Sequence, residues 1–229
     1  MKVIKDIRLF KSTEENVDGY SPRAFGEKPL LIVLHRVVMK LREQSFTLGD
    51  FDHLYINFTT CLPPYDIRPA NRSIDRETRW FRFYDVGVSF DFFDLHGAEC
   101  DADRVLDLIK NTLYFCCPQE ENRLLIEQAF HEPVSLGKNM PMKYREKRSA
   151  NRKAVICLYY DDQGRYQAEL CVTDESGSEL LKEKIPLSSD LLSLGEIQLN
   201  SKKVTIKPRK NAFSKHRPPI FFDIPSCTP

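Results

Sequence analysis

Apolar residues recur every three or four positions in three segments of the chain, a pattern typical of helices with one buried face. The first segment begins at Pro29, where proline fits a first helical turn, and ends near Gln44. The second follows Asp101, a residue type that caps helix N-termini. The third begins near Pro118 and is expected to end at Pro133, because proline removes a helical hydrogen bond.

Alternation of apolar and polar residues predicts strands at residues 3–10 and 52–60. In the second strand, Leu54, Ile56 and Phe58 are expected to face the core. The polar residues between them are expected to form a wet or interfacial face. These residues are His53, Tyr55, Asn57 and Thr59. Residues 79–95, RWFRFYDVGVSFDFFDL, contain the only Trp and predict the central strand of a sheet covered on both faces.

The pattern changes after Pro141, where short alternating segments are separated by turn residues. The predicted strands are residues 154–160, 166–173, 180–185, 196–199 and 204–207. The sequence therefore predicts an α+β fold, a mixed sheet with about three helices followed by a C-terminal antiparallel β meander. Residues 1–140 form the predicted α+β domain and residues 150–229 the β-rich part, either a second domain or an extension of the first.

Composition is ordinary for a globular chain, with 41% hydrophobic and 29% charged residues. A net charge of +1 argues against a uniformly basic nucleic-acid binder. The longest apolar run, residues 30–34, is too short to span a bilayer, and residues 1–10 lack the apolar stretch of a secretory signal. We therefore expect a cytoplasmic protein without membrane contact, whose seven scattered cysteines are reduced thiols and which needs neither metal nor cofactor.

A series of arginines precedes and enters the aromatic segment, and it is the first candidate site. A guanidinium offers a rigid fork of donors for carboxylates and phosphates, and it also stacks on aromatic rings. The predicted partner-binding residues are Arg72, Arg76, Arg79, Trp80, Arg82 and Tyr84. The alternative is a solvated loop in which these arginines and Arg68 form local ion pairs. Their expected acidic partners are Asp66, Asp75 and Glu77.

Two basic segments, residues 138–153 and 202–217, form the second candidate site, because together they would attract a phosphate backbone. The residues predicted to bind nucleic acid are Lys143, Arg145, Lys147, Arg148, Arg152 and Lys153. The alternative is that these side chains pair with the acidic residues of positions 161–190. Only Tyr144 and Phe213 supply aromatic rings in these segments, whereas nucleic-acid sites usually interleave several.

A metal-dependent hydrolase is the third hypothesis, and it would use Asp91, Asp94 and His96. Strand parity opposes it, since Asp91 points to one face of a regular strand while Asp94 and His96 point to the other. The number of rings in the same segment also exceeds what one face of a sheet needs. If some of Trp80, Tyr84, Phe90, Phe92 and Phe93 are exposed, they form a partner site; otherwise both faces are buried.

In its overall pattern the chain resembles the immunity proteins that bacteria carry against polymorphic or contact-dependent toxins. The pattern consists of the aromatic strand of residues 80–93, the capped helix after Asp101, and the β-rich C-terminal part. The resemblance implies a tight, non-catalytic complex with a toxin domain. We therefore expect a protein-binding protein, most specifically an immunity protein, and no enzyme.

Overall fold

A computed structural model of the protein describes residues 1–94, 102–187, 191–214 and 216–225; the side chain of Asp94 lies outside this description. The chain divides into two compact units, Met1–Gly137 and Lys138–Pro229. The first contains a mixed sheet and the long helices, and the second contains antiparallel sheets, so the predicted α+β fold is confirmed. No helix within the described residues has the length and apolar character needed to cross a membrane.

The first unit is built on a five-stranded sheet in the order β2-β1-β3-β5-β4. Its strands are β1 (Asp6–Ser12), β2 (Arg23–Ala24), β3 (His53–Thr59), β4 (Ile67–Pro69) and β5 (Phe81–Gly87). The three longer strands, β1, β3 and β5, run parallel, and the short edge strands are antiparallel to their neighbours. Parallel β1 and β3 need a crossover, which the first helix supplies.

Three long helices cover one side of this sheet and bury their apolar faces in one core. They are α1 (Lys28–Glu43), α3 (Ala102–Cys116) and α4 (Glu120–Leu136). A single helical turn, α2 (Asp91–Asp94), lies between β5 and α3. Leu41, Ile109 and Leu113 are fully buried, as their spacing predicts. The predicted cap, Asp101, lies outside the described residues.

The prediction that Pro133 ends the third helix is wrong, because α4 continues to Leu136. Pro133 lies in the last turn, where its missing N–H removes only one helical hydrogen bond. The backbone N–H of Gly137 then bonds to the Pro133 carbonyl and closes the helix.

The aromatic segment is shorter as a strand than predicted. β5 ends at Gly87 and lies between β3 and the edge strand β4, so the centre of the sheet is β3. A Cβ on Gly87 would lie 1.8 Å from the carbonyl oxygen of Pro63, because the chain crosses closely here. Tyr65 N–H bonds to the Gly87 carbonyl at 2.9 Å, and Phe92 then packs into the core at 3% exposure.

Of the wet or interfacial face expected on β3, the wet alternative is wrong, and the interfacial alternative stays a prediction. Tyr55, Asn57 and Thr59 are all buried, Asn57 completely. Asn16, from the loop after β1, lies over this face and is itself 1% exposed. The alternation of β3 therefore separates an apolar buried face from a polar and aromatic buried face.

The second unit contains a four-stranded antiparallel meander and a three-stranded sheet. The meander consists of β6 (Met142–Ser149), β7 (Arg152–Tyr160), β8 (Tyr166–Asp174) and β9 (Glu179–Ile185). The smaller sheet consists of β10 (Ile197–Leu199), β11 (Lys203–Ile206) and β12 (Ile220–Asp223). Sequence patterns missed β6 and β12. In β6 only Met142 is buried, so pairing with β7 forms this strand without an apolar alternation.

Candidate partner-binding site

The sheet of the first unit carries a group of aromatic rings on the face that its helices do not cover. We call this group the aromatic face. It consists of Phe10, His53, Tyr55, Trp80, Phe81 and Phe83. Strand register explains it, since Tyr55 of β3 lies opposite Phe83 of β5 and His53 lies opposite Phe81. Ring centroids are 4.6 Å apart for His53 and Trp80 and 4.8 Å apart for Tyr55 and Phe81, close enough for each pair to add stability.

A buried polar network lies beside the aromatic face. The Asp85 carboxylate accepts hydrogen bonds from the side-chain amides of Asn57, at 2.8 Å, and Asn16, at 3.1 Å. Arg72 Nε in turn donates to Asn16 Oδ1 at 2.7 Å, and its guanidinium also donates to the Tyr20 carbonyl. Burial raises the pKa of Asp85, against the effect of both amides, which favour the charged form. The network fastens two loops to the sheet.

A cleft of about 90 Å³ opens next to this network, and it brings together three of the six predicted partner-binding residues. These three are Arg72, Arg82 and Tyr84. Phe81 and Phe83 supply aromatic walls, and the Arg72 guanidinium lies 4.4 Å from the centroid of Phe83. Ile74 also lines the cleft while 62% of its surface remains exposed. A space of this size accommodates about one aliphatic side chain.

The other three predicted residues, Arg76, Arg79 and Trp80, lie on the loop that leads into β5, and all three are exposed. Asp75 fixes this loop, since its Oδ1 accepts the backbone N–H groups of Thr78, at 2.8 Å, and Glu77, at 2.7 Å. These bonds lower the pKa of Asp75. Trp80 retains 38% exposure even though its indole packs edge-on against His53.

Arg82 and Tyr84 hold the fold as well as lining the cleft. Arg82 pairs with Asp50 at 2.8 Å and lies 5.5 Å from the centre of the Phe51 ring. Tyr84 contacts the Phe115 ring of α3, and burial raises its pKa.

The alternative to a partner-binding site was a loop in which the arginines pair with nearby acidic residues, and the exposed arginines do not follow it. In the part of the chain that the structure describes, Arg68, Arg76 and Arg79 form no ion pair with Asp66, Asp75 or Glu77. Their guanidinium donors are therefore available at the surface.

The basic residues predicted to bind nucleic acid lie on the β6–β7 hairpin. Lys143, Arg148 and Lys153 all approach one acid, Glu146, at 4.0, 2.7 and 3.4 Å. Arg145 donates to the Leu194 carbonyl, Arg152 donates to the Ser201 carbonyl, and Lys147 is exposed. The hairpin thus carries its own acid, and Glu146 lies within β6, outside the acidic segment expected to supply the partners.

The residues of the hydrolase hypothesis are only partly described. Asp91 is exposed on α2, and a hydrogen bond to Ser89 lowers its pKa. His96 and the side chain of Asp94 lie outside the described residues. Asp85 belongs to the buried network, and among the described side chains no three of the His, Cys, Asp or Glu type form a group that could hold a metal.

Comparison with known proteins found no matching family model, no matching curated protein and no matching solved structure. The resemblance to immunity proteins stays a prediction.

Sequence patterns identified the arginines and Trp80 but missed Phe10, Asn16, Asn57 and Ile74. Phe10 of β1 lies opposite Asn57 of β3, and Asn57 lies opposite Asp85 of β5. The alternation of side chains along each strand is the one sequence feature that could have placed these three residues on the same face of the sheet. Asn16 and Ile74 lie in loops whose course the sequence pattern does not specify.

Proposed function

We propose that this chain is a non-catalytic, cytoplasmic protein-binding protein, and specifically an immunity protein that neutralises a bacterial toxin domain. The observation that supports the proposal is the cleft between Arg72 and Phe83, with exposed Ile74 at its mouth. Beside it lie Arg76 and Arg79, which form no ion pair with any residue that the structure describes. Clefts that accept one anchoring side chain, surrounded by Trp, Tyr and Arg, are typical of the centres of protein interfaces.

Preorganisation supports the same proposal. Arg72 is held by Asn16 and by the Phe83 ring, and the loop that presents Arg76 and Arg79 is held by Asp75. A surface that is already ordered loses less conformational entropy when it binds, and this favours tight complexes. An inhibitor that must leave no active toxin needs such tight binding.

The first test is purification of the full chain from its native host, without overexpression. We expect a second protein in equal molar amount, encoded beside this chain and carrying a secreted toxin domain. Recovery of the chain alone, with no stoichiometric protein, would overturn the proposal.

The second test measures the affinity of that complex by calorimetry after single substitutions at the site. Ile74→Arg places a charge at the mouth of the cleft, and we expect it to weaken binding by about 30-fold or more. Arg79→Ala removes an exposed guanidinium that forms no hydrogen bond or ion pair with the described residues, and we expect a loss of about fivefold. Leu124→Ala, at an exposed position of α4 away from the cleft, is the control and is expected to leave affinity unchanged. Wild-type affinity in both site variants would show that the partner binds elsewhere.

A further inference from the structure

The second unit contains a cavity of about 490 Å³ that no step of the proposed function uses. It lies where β7 ends, β8 begins and β9 ends, beside the turn at Lys138 and Asn139. Its volume is within the range of sites that bind small organic molecules.

The cavity has an apolar side formed by Leu187 and the half-buried ring of Tyr159. Such a surface suits a hydrocarbon or ring-containing body. Strand pairing places Tyr159 on the same face of the meander as Gln167, Glu169 and Lys184. Ala168 and Ile185, which lie opposite each other in the β8–β9 pairing and are each 4% exposed, alternate to the other, buried face.

The charged side chains of the cavity differ in whether they already have ion-pair partners. Glu169 accepts from Lys182 at 3.4 Å and from the Tyr159 hydroxyl at 3.4 Å, so its carboxylate already has a cation and a donor. Lys138 and Lys184 also line the cavity, and neither forms an ion pair with any residue that the structure describes. Both lysines are exposed, so their ammonium donors are available beside the cavity, and the side-chain amide of Gln167 adds a neutral donor.

We propose that this cavity binds a small organic anion, with its apolar body on Tyr159 and Leu187 and its anionic group between Lys138 and Lys184. Lysine ammonium groups bind carboxylate, sulfonate and phosphate as point charges and need no fixed fork geometry. The proposal is independent of the partner-binding site, since every residue that lines the cavity belongs to the second unit.

The test uses the full chain and two fluorescent probes of the same shape. Anilinonaphthalene sulfonate has the ring body and an anionic group, and N-phenylnaphthylamine has the ring body alone. We expect saturable binding of the sulfonate with a stoichiometry of one, and at least about fivefold weaker binding of the uncharged probe.

Three variants locate the binding. The double variant Lys138→Gln with Lys184→Gln is expected to weaken sulfonate binding by about fivefold, because it removes two partly exposed charge pairs. Gln167→Trp keeps both lysines but fills the cavity, and it is expected to abolish binding. Lys147→Gln removes one exposed lysine that does not line the cavity; it is the control for loss of a surface lysine and should bind as wild type does. Equal binding of the two probes, or undiminished binding in both the double variant and Gln167→Trp, would overturn the proposal.

Discussion

Replacement of Asp85 by Asn is expected to stabilise the first unit at neutral pH. In the wild type, Asn57 and Asn16 both donate to Asp85 Oδ1, and the carboxylate is buried. Asn57 Oδ1 is buried and has no hydrogen-bond partner. An Asn at position 85 retains an oxygen for both donors, removes the buried charge, and brings an N–H₂ group towards the unpartnered oxygen.

The expected change in the free energy of unfolding follows from the unpartnered Oδ1 of Asn57. A buried acceptor that lacks a partner costs about 1–3 kcal/mol, and a new neutral hydrogen bond in a crowded site recovers only part of this cost. Loss of the attraction between Asp85 and the Arg72 guanidinium acts in the opposite direction. We therefore expect Asp85→Asn to raise the free energy of unfolding by about 1 kcal/mol at neutral pH. Asp85→Ala leaves both amide donors without an acceptor and is expected to lower it by about 2 kcal/mol or more.

The pH dependence gives an independent check of sign. Because burial raises the pKa of Asp85 in the folded state above the ordinary value of an aspartate, its contribution to stability is fully present below that ordinary value. The contribution is lost as the pH rises through the folded pKa. The advantage of Asp85→Asn should therefore shrink steadily as the pH is lowered from neutrality towards about 4.

Urea denaturation followed by tryptophan fluorescence measures this difference. Trp80 is the only Trp in the chain, so its signal reports the first unit alone. A variant that is less stable than the wild type by the same amount at every pH would refute the reasoning. That result would mean that the effect of the substitution does not depend on ionisation of Asp85 and comes instead from packing or hydrogen-bond geometry.

Two further outcomes follow from the structure. Gly87→Ala places a Cβ 1.8 Å from the Pro63 carbonyl oxygen. We therefore expect the free energy of unfolding, measured by the same urea assay, to fall by at least about 3 kcal/mol. Near-wild-type stability would show that the backbone at Pro63 can move away from position 87. Alkylation by iodoacetamide, read by mass spectrometry of the peptides, is expected to modify exposed Cys61 well before Cys116 and Cys117, since burial raises the pKa of Cys116 to about 12. Simultaneous modification of all three would contradict the packing of α3.

The helices could be predicted because each shows its buried face within one stretch of sequence. Leu41 on α1 and Leu113 on α3 each belong to a series of apolar residues at helical spacing. Their burial can therefore be predicted without knowing which other element covers them. The second face of β3 could not be predicted in this way. Asn57 is buried by Asn16, a residue from a distant loop, and a polar side chain with a distant partner has the same local pattern as an exposed one.

The candidate site could also be predicted only where local sequence is informative. Arg72 and Trp80 are conspicuous by residue type, and the structure places them in one region. The cleft itself depends on how residues 70–80 pass over β5, which is set by the hydrogen bonds of Asp75 and Asn16. The edge strand β6 was missed because strand pairing, and not burial, determines it.

The loop between β4 and β5 is fastened at Arg72 and braced at Asp75, while Arg76 and Arg79 make no ion pair within the described chain. Mutations at these two exposed positions are therefore expected to leave the scaffold intact. After gene duplication, daughter proteins could therefore diverge in what they recognise while inheriting an unchanged architecture.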